Sequence, residues 1–316
     1  MNILCCTDHN YITPTCVTIY SACINNQDIS IKFYIISNPD VTEEDKTKLK
    51  NITSKYHHTI EFISAPTITK RTECFTVNKE GQPKHITIAS YYRLFLADLL
   101  PKEIEKIIYL DSDLIVRNSL EEMYSYNIED YAVGAIPDMF EGYIEPYNRL
   151  RYPQSMGYFN AGVLLININF WRKNNLLEKF IEFATLHPER IVAHDQDILN
   201  YVLRNNKLRL PLKYNTQNGF LYKNVGISWE YEKEIEDAIK NPFILHYTGS
   251  KPCEKVCTHP YRDEYLKYYK NIIGKMPFKK TFYEKLKCYI KLILDKYRIN
   301  KSKEAKSIYR NLPKLS

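Results

Sequence analysis

The chain has 316 residues, of which 44% are hydrophobic and 26% charged, which is typical of a soluble globular protein with one large or two ordinary domains. No apolar run approaches the length of a membrane span, and the first residues lack the basic leader and long apolar stretch of a secretory signal. The net charge of +7 is uneven, because segment 276–316 holds twelve Lys and Arg against three Asp and Glu; it carries +9 and leaves −2 for the rest.

Short apolar segments alternate with amphipathic ones along most of the chain. Apolar runs predict strands at 3–6, 31–36, 59–63, 107–110, 131–136, 157–167 and 243–246. Amphipathic spacing predicts helices at 14–24, from Thr42 onwards, and at 88–100, 174–187, 193–202 and 230–239. We expect the strand at 157–167 to be entered through a tight turn at Asn160, Ala161 and Gly162. This alternation predicts an α/β sheet with Rossmann-like winding.

Two aspartates follow directly on the predicted strand at 107–110. Asp111 and Asp113 therefore stand at the end of a buried strand, where an unpaired carboxylate is costly to desolvate. Because residues i and i+2 of an extended segment project to the same side, both carboxylates can reach one divalent cation. The alternative is a turn in which the aspartates cap backbone amides.

Other polar clusters also lie at predicted strand or helix ends. Asp8, Asn10 and Tyr11 follow the first strand, where polar side chains can meet a nucleotide, although no glycine-rich phosphate loop is present. The polar run 194–197 opens a helix, and the run 246–251 ends the last strand. These positions favour one site at the carboxyl edge of the sheet.

A histidine and two carboxylates suit Mn²⁺, so His246 is a candidate third ligand, with a diphosphate completing the shell. Lys251 and backbone amides near Gly249 are placed to hold phosphate oxygens. Each residue alone has an ordinary structural interpretation, such as a buried hydrogen-bonded histidine or a solvated lysine. In the same way, Asp195 suits a helix N-cap and Arg93 an ion pair. Their joint appearance favours a functional site.

The sequence pattern changes at 281–297. Apolar residues recur there at helical spacing with lysines opposite, namely Phe282, Leu286, Tyr289, Ile290, Ile293 and Tyr297. Such a basic amphipathic helix can lie on an anionic bilayer, and the alternative is a helix packed on the preceding domain with a solvated lysine face. Because the basic run continues to Arg310, we expect an anionic membrane surface as a partner, and no nucleic acid.

Five motifs occur in a recognisable order: HITIASYYRLFL, YLDSDLIVRNSL, YFNAGVLLININFWR, HDQDILN and HYTGSKP. In this order they resemble the glycosyltransferase family 8 pattern, nearest to bacterial lipopolysaccharide galactosyl- and glucosyltransferases and more distantly to glycogenin. The resemblance covers 1–275, the predicted catalytic domain, and leaves 276–316 as a basic tail. It implies a GT-A fold with a mixed sheet flanked by helices, a UDP-sugar donor, Mn²⁺ or Mg²⁺, and retention of anomeric configuration.

The resemblance also implies a role for each motif residue. The metal ligands would be Asp111, Asp113 and His246. The donor-sugar residues would be Arg93, Asn160, Asp195 and Gln196. The nucleotide and diphosphate contacts would be Asp8, Asn10, Tyr11, Ser112, Gly249 and Lys251. This chain has one residue fewer between His246 and Lys251 than the nearest relatives, which puts the reach of the lysine in question.

The expected activity is transfer of galactose or glucose from a UDP-sugar to a saccharide or glycolipid acceptor, such as lipopolysaccharide core or another surface glycan. We expect a cytoplasmic protein, held peripherally at the inner face of the membrane. Two other classes stay open: a nucleotidyltransferase, which usually shows a glycine-rich phosphate loop, and a non-catalytic sugar-nucleotide or membrane-binding module, which would lose the metal ligands. Because the neutral amide of Gln196 is a poor nucleophile, front-face attack is favoured, with Asp195 orienting the donor sugar.

Overall fold

A computed structural model describes residues 1–67, 72–75, 88–223, 226–254, 257, 259–276, 281–296, 310 and 312. The first three residues of the first motif, at 85–87, lie outside the described residues, as do Tyr297 and most of the tail beyond it.

The described residues contain ten strands, and seven of them form the main sheet. In chain order they are β1 (Asn2–Thr7), β2 (Lys32–Ser37), β3 (Thr59–Ser64), β4 (Lys106–Leu110), β5 (Leu114–Val116), β6 (Val133–Pro137), β7 (Phe159–Asn167), β8 (Lys207–Arg209), β9 (Thr216–Gln217) and β10 (Ile244–His246). The main sheet has the order β3-β2-β1-β4-β7-β6-β8. Its first four strands are parallel, whereas β7 is antiparallel to both β4 and β6. The predicted mixed sheet with Rossmann-like winding is confirmed.

Both faces of this sheet are buried, because alternate side chains of its strands enter two separate apolar cores. In β1, Ile3 and Cys5 belong to one core, whereas Leu4 and Cys6 belong to the other. Strands buried on both faces are continuous apolar runs in the sequence. Polar side chains can therefore collect only where the strands end.

A second, three-stranded sheet joins two distant parts of the chain. It has the order β5-β10-β9, with β10 antiparallel to β5. In this pairing Leu114 lies opposite His246, and the amide of Tyr247 donates to the carbonyl oxygen of Asp113 at 3.0 Å. The small sheet thus brings the histidine of the last strand beside the aspartates that follow β4.

Helices contribute to the cores on both faces of the main sheet. They are α1 (Ile12–Ile24), α2 (Glu43–Lys55), α3 (Leu96–Leu99), α4 (Glu121–Ser125), α5 (Glu145–Leu150), α6 (Ile168–Lys173), α7 (Leu176–Leu186), α8 (His194–Leu203), α9 (Glu232–Lys240), α10 (Arg262–Ile273) and α11 (Phe282–Lys296). Helix α2 begins as its sequence predicts, because Thr42 and Asp45 form a reciprocal capping box.

The helix predicted at 88–100 is a 3₁₀-helix at Ile88–Phe95 followed by the short α3. In the tighter winding, residues three apart lie above one another. The Nε of Arg93 donates to the carbonyl oxygen of Ser90 at 3.1 Å, so the arginine of the site also fixes this turn.

The turn predicted at Asn160, Ala161 and Gly162 is wrong, because these residues are extended within β7. The pairing of β6 with β7 shifts register between Ala135 and Ile136, and this irregularity accommodates the extra length of β7. Gly162 pairs on its other side, accepting from the amide of Asp111 at 2.8 Å. The glycine at position 162 therefore indicates close packing in the sheet rather than a turn.

The C-terminal part begins after α10, which ends at Ile273 and is capped by Gly274 with a left-handed φ of 74°. The predicted amphipathic helix is present as α11, and it exposes the large side chains of Tyr283, Leu286, Tyr289 and Ile290. Within the described residues, no helix has both the length and the apolar character that a membrane crossing requires.

Candidate active site

A cleft of about 1270 Å³ opens at the carboxyl ends of β1 and β4, where the polar side chains collect. The residues that line it include Cys6, Thr7, Asp8, Tyr11, Arg93, Tyr109, Asp111, Ser112, Asp113, Asp138, Asn160, Ala161, Gly162, Asp195, Gln196, His246, Thr248 and Lys251. Ligands in open α/β sheets bind at this edge, as the sequence predicted.

Asp111, Asp113 and His246 offer ligand atoms that all lie within 4.8 Å of one another. The Nε2 atom of His246 is 3.1 Å from Oδ1 of Asp113 and 3.9 Å from Oδ2 of Asp111. Two carboxylates and an imidazole form a donor set that fits Mn²⁺ or Mg²⁺. The three residues predicted as ligands are therefore assembled in one place.

Neighbouring groups orient His246 toward this cluster. Its Nδ1 lies 2.9 Å from the side-chain oxygen of Asn215, and this amide in turn donates to Oδ1 of Asn160 at 2.9 Å. If the Nδ1–H donates to Asn215, Nε2 keeps its lone pair for a cation, which is the usual arrangement of a metal-binding histidine. The ring packs directly on Gly162, where a Cβ would lie 2.2 Å from its Cε1 atom.

Lys251 reaches the cluster in spite of the shorter segment that precedes it. Its Nζ contacts Oδ2 of Asp113 and donates to the carbonyl oxygen of Tyr247 at 2.9 Å. Burial tends to raise the pKa of Asp113, but Lys251 and His246 outweigh burial and hold it well below its ordinary value. A fixed ammonium beside the carboxylates is suited to an anionic phosphate group.

Arg93 links Asp111 of the metal cluster to Asp195 of α8. Its buried guanidinium donates to Oδ1 of Asp111 at 2.9 Å and to the carbonyl oxygen of Ala161 at 2.5 Å, and it lies 4.2 Å from the centre of the Tyr109 ring. Its Nε is 3.0 Å from Oδ2 of Asp195. One buried cation thus balances two carboxylates, each of which faces the cleft.

Asp195 lies in the first turn of α8, and the N-cap position is occupied by Ala193 instead. The preceding residue, His194, has a left-handed φ of 52°, so the backbone is strained where the helix enters the site. Burial raises the pKa of Asp195 to about 7, although Arg93 opposes this rise. Its Oδ2 faces Arg93 but makes no hydrogen bond among the described residues.

Gln196 and Asn160 form a closed amide network. Oε1 of Gln196 accepts from the amide of Ala161 at 3.0 Å, and its Nε2 donates to Asp138 and to Tyr158, each at 3.2 Å. The Nδ2 of Asn160 also donates to Asp138, at 3.0 Å. Both ends of the Gln196 amide are therefore committed to protein groups.

The predicted nucleotide-binding residues divide into two sets. Asp8, Tyr11 and Ser112 line the cleft, whereas Asn10 and Gly249 are not among its lining residues. Asp8 accepts from the amide of Tyr11 at 3.0 Å, which shapes the turn after β1. The contacts assigned to Asn10 and Gly249 remain predictions.

Three residues of the site were not predicted as functional from the sequence, namely Gly162, Asn215 and Asp138. Asp138 directly follows β6, and burial raises its pKa. The rule that drew attention to Asp111, a carboxylate directly after an apolar strand, would also have found Asp138. No comparable signal marks Asn215, which tertiary structure alone brings beside His246.

One wall of the cleft is formed by residues 139–144, which we call the cleft loop. It presents the partly exposed side chains of Phe140, Tyr143 and Ile144, and the rings of Phe140 and Tyr143 are stacked at 5.8 Å. Aromatic faces beside polar groups are suited to a sugar ring, which has an apolar face and a hydroxyl rim.

A mixed Rossmann-like sheet, with an Asp-x-Asp pair at one strand end and a histidine beside it, is the arrangement that the resemblance to GT-A glycosyltransferases implies. Residues 2–257 match the sequence pattern of Glycosyl transferase family 8, and the chain belongs to this family. The resemblance found from the five motifs is thus confirmed, and the nucleotidyltransferase alternative is not supported.

Matching relatives span most of this chain. General stress protein A of Bacillus subtilis is 31% identical over 274 residues, which cover 85% of this chain and 92% of that protein. The lipopolysaccharide 1,3-galactosyltransferase of Salmonella typhimurium is 27% identical over 279 residues, covering 84% and 76%. The structure of the galactosyltransferase LgtC with donor and acceptor sugar analogues has a TM-score of 0.76 at 24% identity, covering 86% of this chain and 96% of that one. This last likeness is one of fold.

Proposed function

We propose that this protein is a Mn²⁺-dependent retaining hexosyltransferase that moves galactose or glucose from a UDP-sugar to a saccharide acceptor. The observation that carries the proposal is the assembly of Asp111, Asp113 and His246 within 4.8 Å at the base of the cleft. When bound there, the cation would supply positive charge that stabilises the departing diphosphate. Mg²⁺ is an alternative occupant of the same donor set.

The residues of the cleft divide the work on the donor. We assign Asp8 and Tyr11, which line the cleft after β1, to the nucleotide, and Lys251, whose ammonium group lies beside Asp113, to the diphosphate. On the sugar side, Arg93 fixes Asp195 and Asp111 in relation to each other. We assign the Asp195 carboxyl group, which this pairing holds at the wall of the cleft, to the donor sugar.

Retention requires either a nucleophile beneath the sugar or attack from the leaving-group face. The hydrogen bonds at both ends of the Gln196 amide support the view that it positions β7 and Asp138 rather than attacking the sugar. We therefore propose front-face attack, in which a β-phosphate oxygen of the donor takes the acceptor's proton. Mass-spectrometric trapping of a glycosyl adduct on Asp195 or Gln196 would overturn this mechanism.

The acceptor proposal rests on the relatives. Besides the Salmonella galactosyltransferase, the lipopolysaccharide 1,2-glucosyltransferase of Escherichia coli is 25% identical over 88% of this chain. We propose a lipopolysaccharide core or another surface glycan as the acceptor. The aromatic side chains of the cleft loop, Phe140 and Tyr143, are placed to contact its sugar rings.

Metal removal tests the proposal directly. We expect the protein to release UDP from one member of a panel of UDP-sugars when Mn²⁺ is present, and to stop when EDTA is added. Because the ligand set is preassembled, restoring Mn²⁺ should restore turnover without refolding. Equal UDP release with and without EDTA would contradict metal dependence. If no sugar is turned over but UDP-sugar still binds, the non-catalytic alternative is supported.

We further propose that the tail, 276–316, holds the catalytic domain at an anionic membrane surface on the cytoplasmic side. Leu286 and Ile290 are one helical turn apart in α11 and are 42% and 46% exposed, so they can enter a bilayer interface. The net charge of +9 on the tail supplies the attraction to anionic lipid.

Introducing acidic residues into this apolar face should release the protein from membranes. We expect the Leu286→Asp, Ile290→Asp double variant to lose most sedimentation with vesicles that contain phosphatidylglycerol, while binding UDP as before. Leu186→Asp is a matched control, because Leu186 is 62% exposed at the end of α7 and does not belong to the tail segment. Unchanged sedimentation of the double variant would show that the membrane proposal is wrong.

A further inference from the structure

The end of the tail returns to the catalytic domain at Arg310. The guanidinium contacts both carboxylate oxygens of Glu232, and one of these contacts measures 2.8 Å. Its Nε also donates to the carbonyl oxygen of Tyr222 at 3.1 Å. The backbone amide of Arg310 donates to the carbonyl oxygen of Leu221 at 2.9 Å. The Arg310 side chain is only 10% exposed, so a residue of a basic tail is largely withdrawn from solvent.

Leu312 packs against the apolar core that contains Leu221 and Ile235. Arg310 and Leu312 together form what we call the C-terminal anchor. In a fully solvated tail, one arginine would not make four hydrogen bonds to the catalytic domain, and a leucine two residues later would not pack against its core. The anchor is therefore a specific contact.

Arg310 contacts residues 221–222, and the residues that precede and follow this pair both pack against the cleft loop. On the preceding side, the amide of Met139 donates to the side-chain oxygen of Gln217 at 2.9 Å, and a Cβ on Gly219 would lie 2.6 Å from Sδ of Met139. The backbone approaches the loop too closely there for any side chain but hydrogen.

On the side that follows residues 221–222, the amide of Gly142 donates to the carbonyl oxygen of Gly226 at 2.7 Å. The buried carboxylate of Glu141 accepts from the amide and the hydroxyl of Ser228, at 3.2 and 2.6 Å. A Cβ on Gly226 would lie 2.3 Å from the ring of Tyr143, so this ring rests directly on the backbone of the held segment.

We propose that the C-terminal anchor is a positioning element for the acceptor: by holding residues 221–222, it fixes the cleft loop against which the acceptor sugar binds. This inference rests on the proposed function, because it takes the cleft loop as the acceptor side of a glycosyltransferase. Arg310 contacts Leu221, Tyr222 and Glu232, whereas Lys251 contacts Asp113 and Tyr247. The segment before 221–222 also reaches the donor side, because the amide of Asn218 donates to the hydroxyl of Thr248 at 3.3 Å. Arg310 holds the part of the segment that follows this contact, so we expect loss of the anchor to act mainly on acceptor binding.

The test uses the full chain with Arg310→Ala, Glu232→Ala and the double variant. We expect Arg310→Ala to raise the KM for the acceptor about tenfold, with the KM for the UDP-sugar and the hydrolysis of UDP-sugar without acceptor unchanged. The acceptor probe is the p-nitrophenyl glycoside that the wild-type protein glycosylates fastest. Glu232→Ala should have a smaller effect because the carbonyl contacts of Arg310 persist, and the double variant should be no worse than Arg310→Ala.

Amide hydrogen exchange gives a readout that does not depend on catalysis. We expect Arg310→Ala to speed exchange at 139–147 and 217–223 and leave β1 and β4 protected. Arg204→Ala is the matched control, because this arginine stacks on Tyr201 at the end of α8 and does not touch the cleft loop. Unchanged exchange at 139–147, or equal rises in donor and acceptor KM, would overturn the proposal. If the wild-type protein transfers no sugar, the exchange result still decides whether the anchor fixes the loop.

Discussion

Asp113→Asn is expected to abolish Mn²⁺-dependent UDP release, lowering turnover at least about a hundredfold. Asp113 is a candidate ligand and also the partner of Lys251 and His246. The amide of asparagine is a neutral ligand, so it would weaken metal binding and leave the ammonium of Lys251 without its counter-charge. Steady-state UDP release and calorimetric Mn²⁺ titration would measure both effects.

The control for this change is Asp28→Asn, which removes one exposed carboxylate that is not among the residues lining the cleft and should leave both measurements unaltered. Circular dichroism should show the same fold in both variants. Wild-type Mn²⁺ affinity in Asp113→Asn would mean that the aspartate cluster is not the metal site.

Gly162→Ala is expected to damage the metal site without removing any candidate ligand. The added Cβ would lie 2.2 Å from Cε1 of His246 and 2.7 Å from Oδ2 of Asp111, so both ligands would be displaced. We expect Mn²⁺ affinity to fall about ten- to a hundredfold, together with turnover. The overpacking should also cost about 1–3 kcal/mol of unfolding free energy, measurable by urea denaturation.

Gly134→Ala offers a matched comparison on the adjacent strand. There the nearest atom to the added Cβ is Cδ1 of Leu210, at 3.0 Å, which is the end of a flexible side chain. This variant should lose some stability and keep its metal affinity. If Gly162→Ala binds Mn²⁺ as tightly as Gly134→Ala does, the close approach of His246 to β7 is not required for the site.

The central strands of the main sheet were predictable because they are buried on both faces and therefore apolar without interruption, as 107–110 shows. The edge strand β8, which is short and only partly buried, was not predicted. The aspartates after the strand at 107–110 were predictable for the same reason, since a charge at the end of a buried strand needs a partner. His246, Asp195 and Gln196 were then predicted from the order of the motifs. The small sheet that brings His246 beside the aspartates could not be predicted from any local sequence pattern.

Gly162 was wrongly predicted to lie in a turn because its sequence neighbours do not reveal which distant residue packs on it. Glycine usually marks a turn, but here it admits the ring of a histidine that is distant in sequence. The 3₁₀ winding at Ile88–Phe95 was missed for a related reason, because Arg93 makes contacts with Asp111 and Ala161 that local spacing does not encode. Tertiary contacts overrode the local signal in both places.

The pairing of β5 with β10 has a consequence for how the native state is held together. Asp113 and His246 are 133 residues apart, so the candidate metal site forms only after β5 has paired with β10. A cation bound there would act as a reversible cross-link that closes a long loop of chain, and it would stabilise only the native state. Resistance to heat and proteases should therefore rise with Mn²⁺ concentration before any sugar is added.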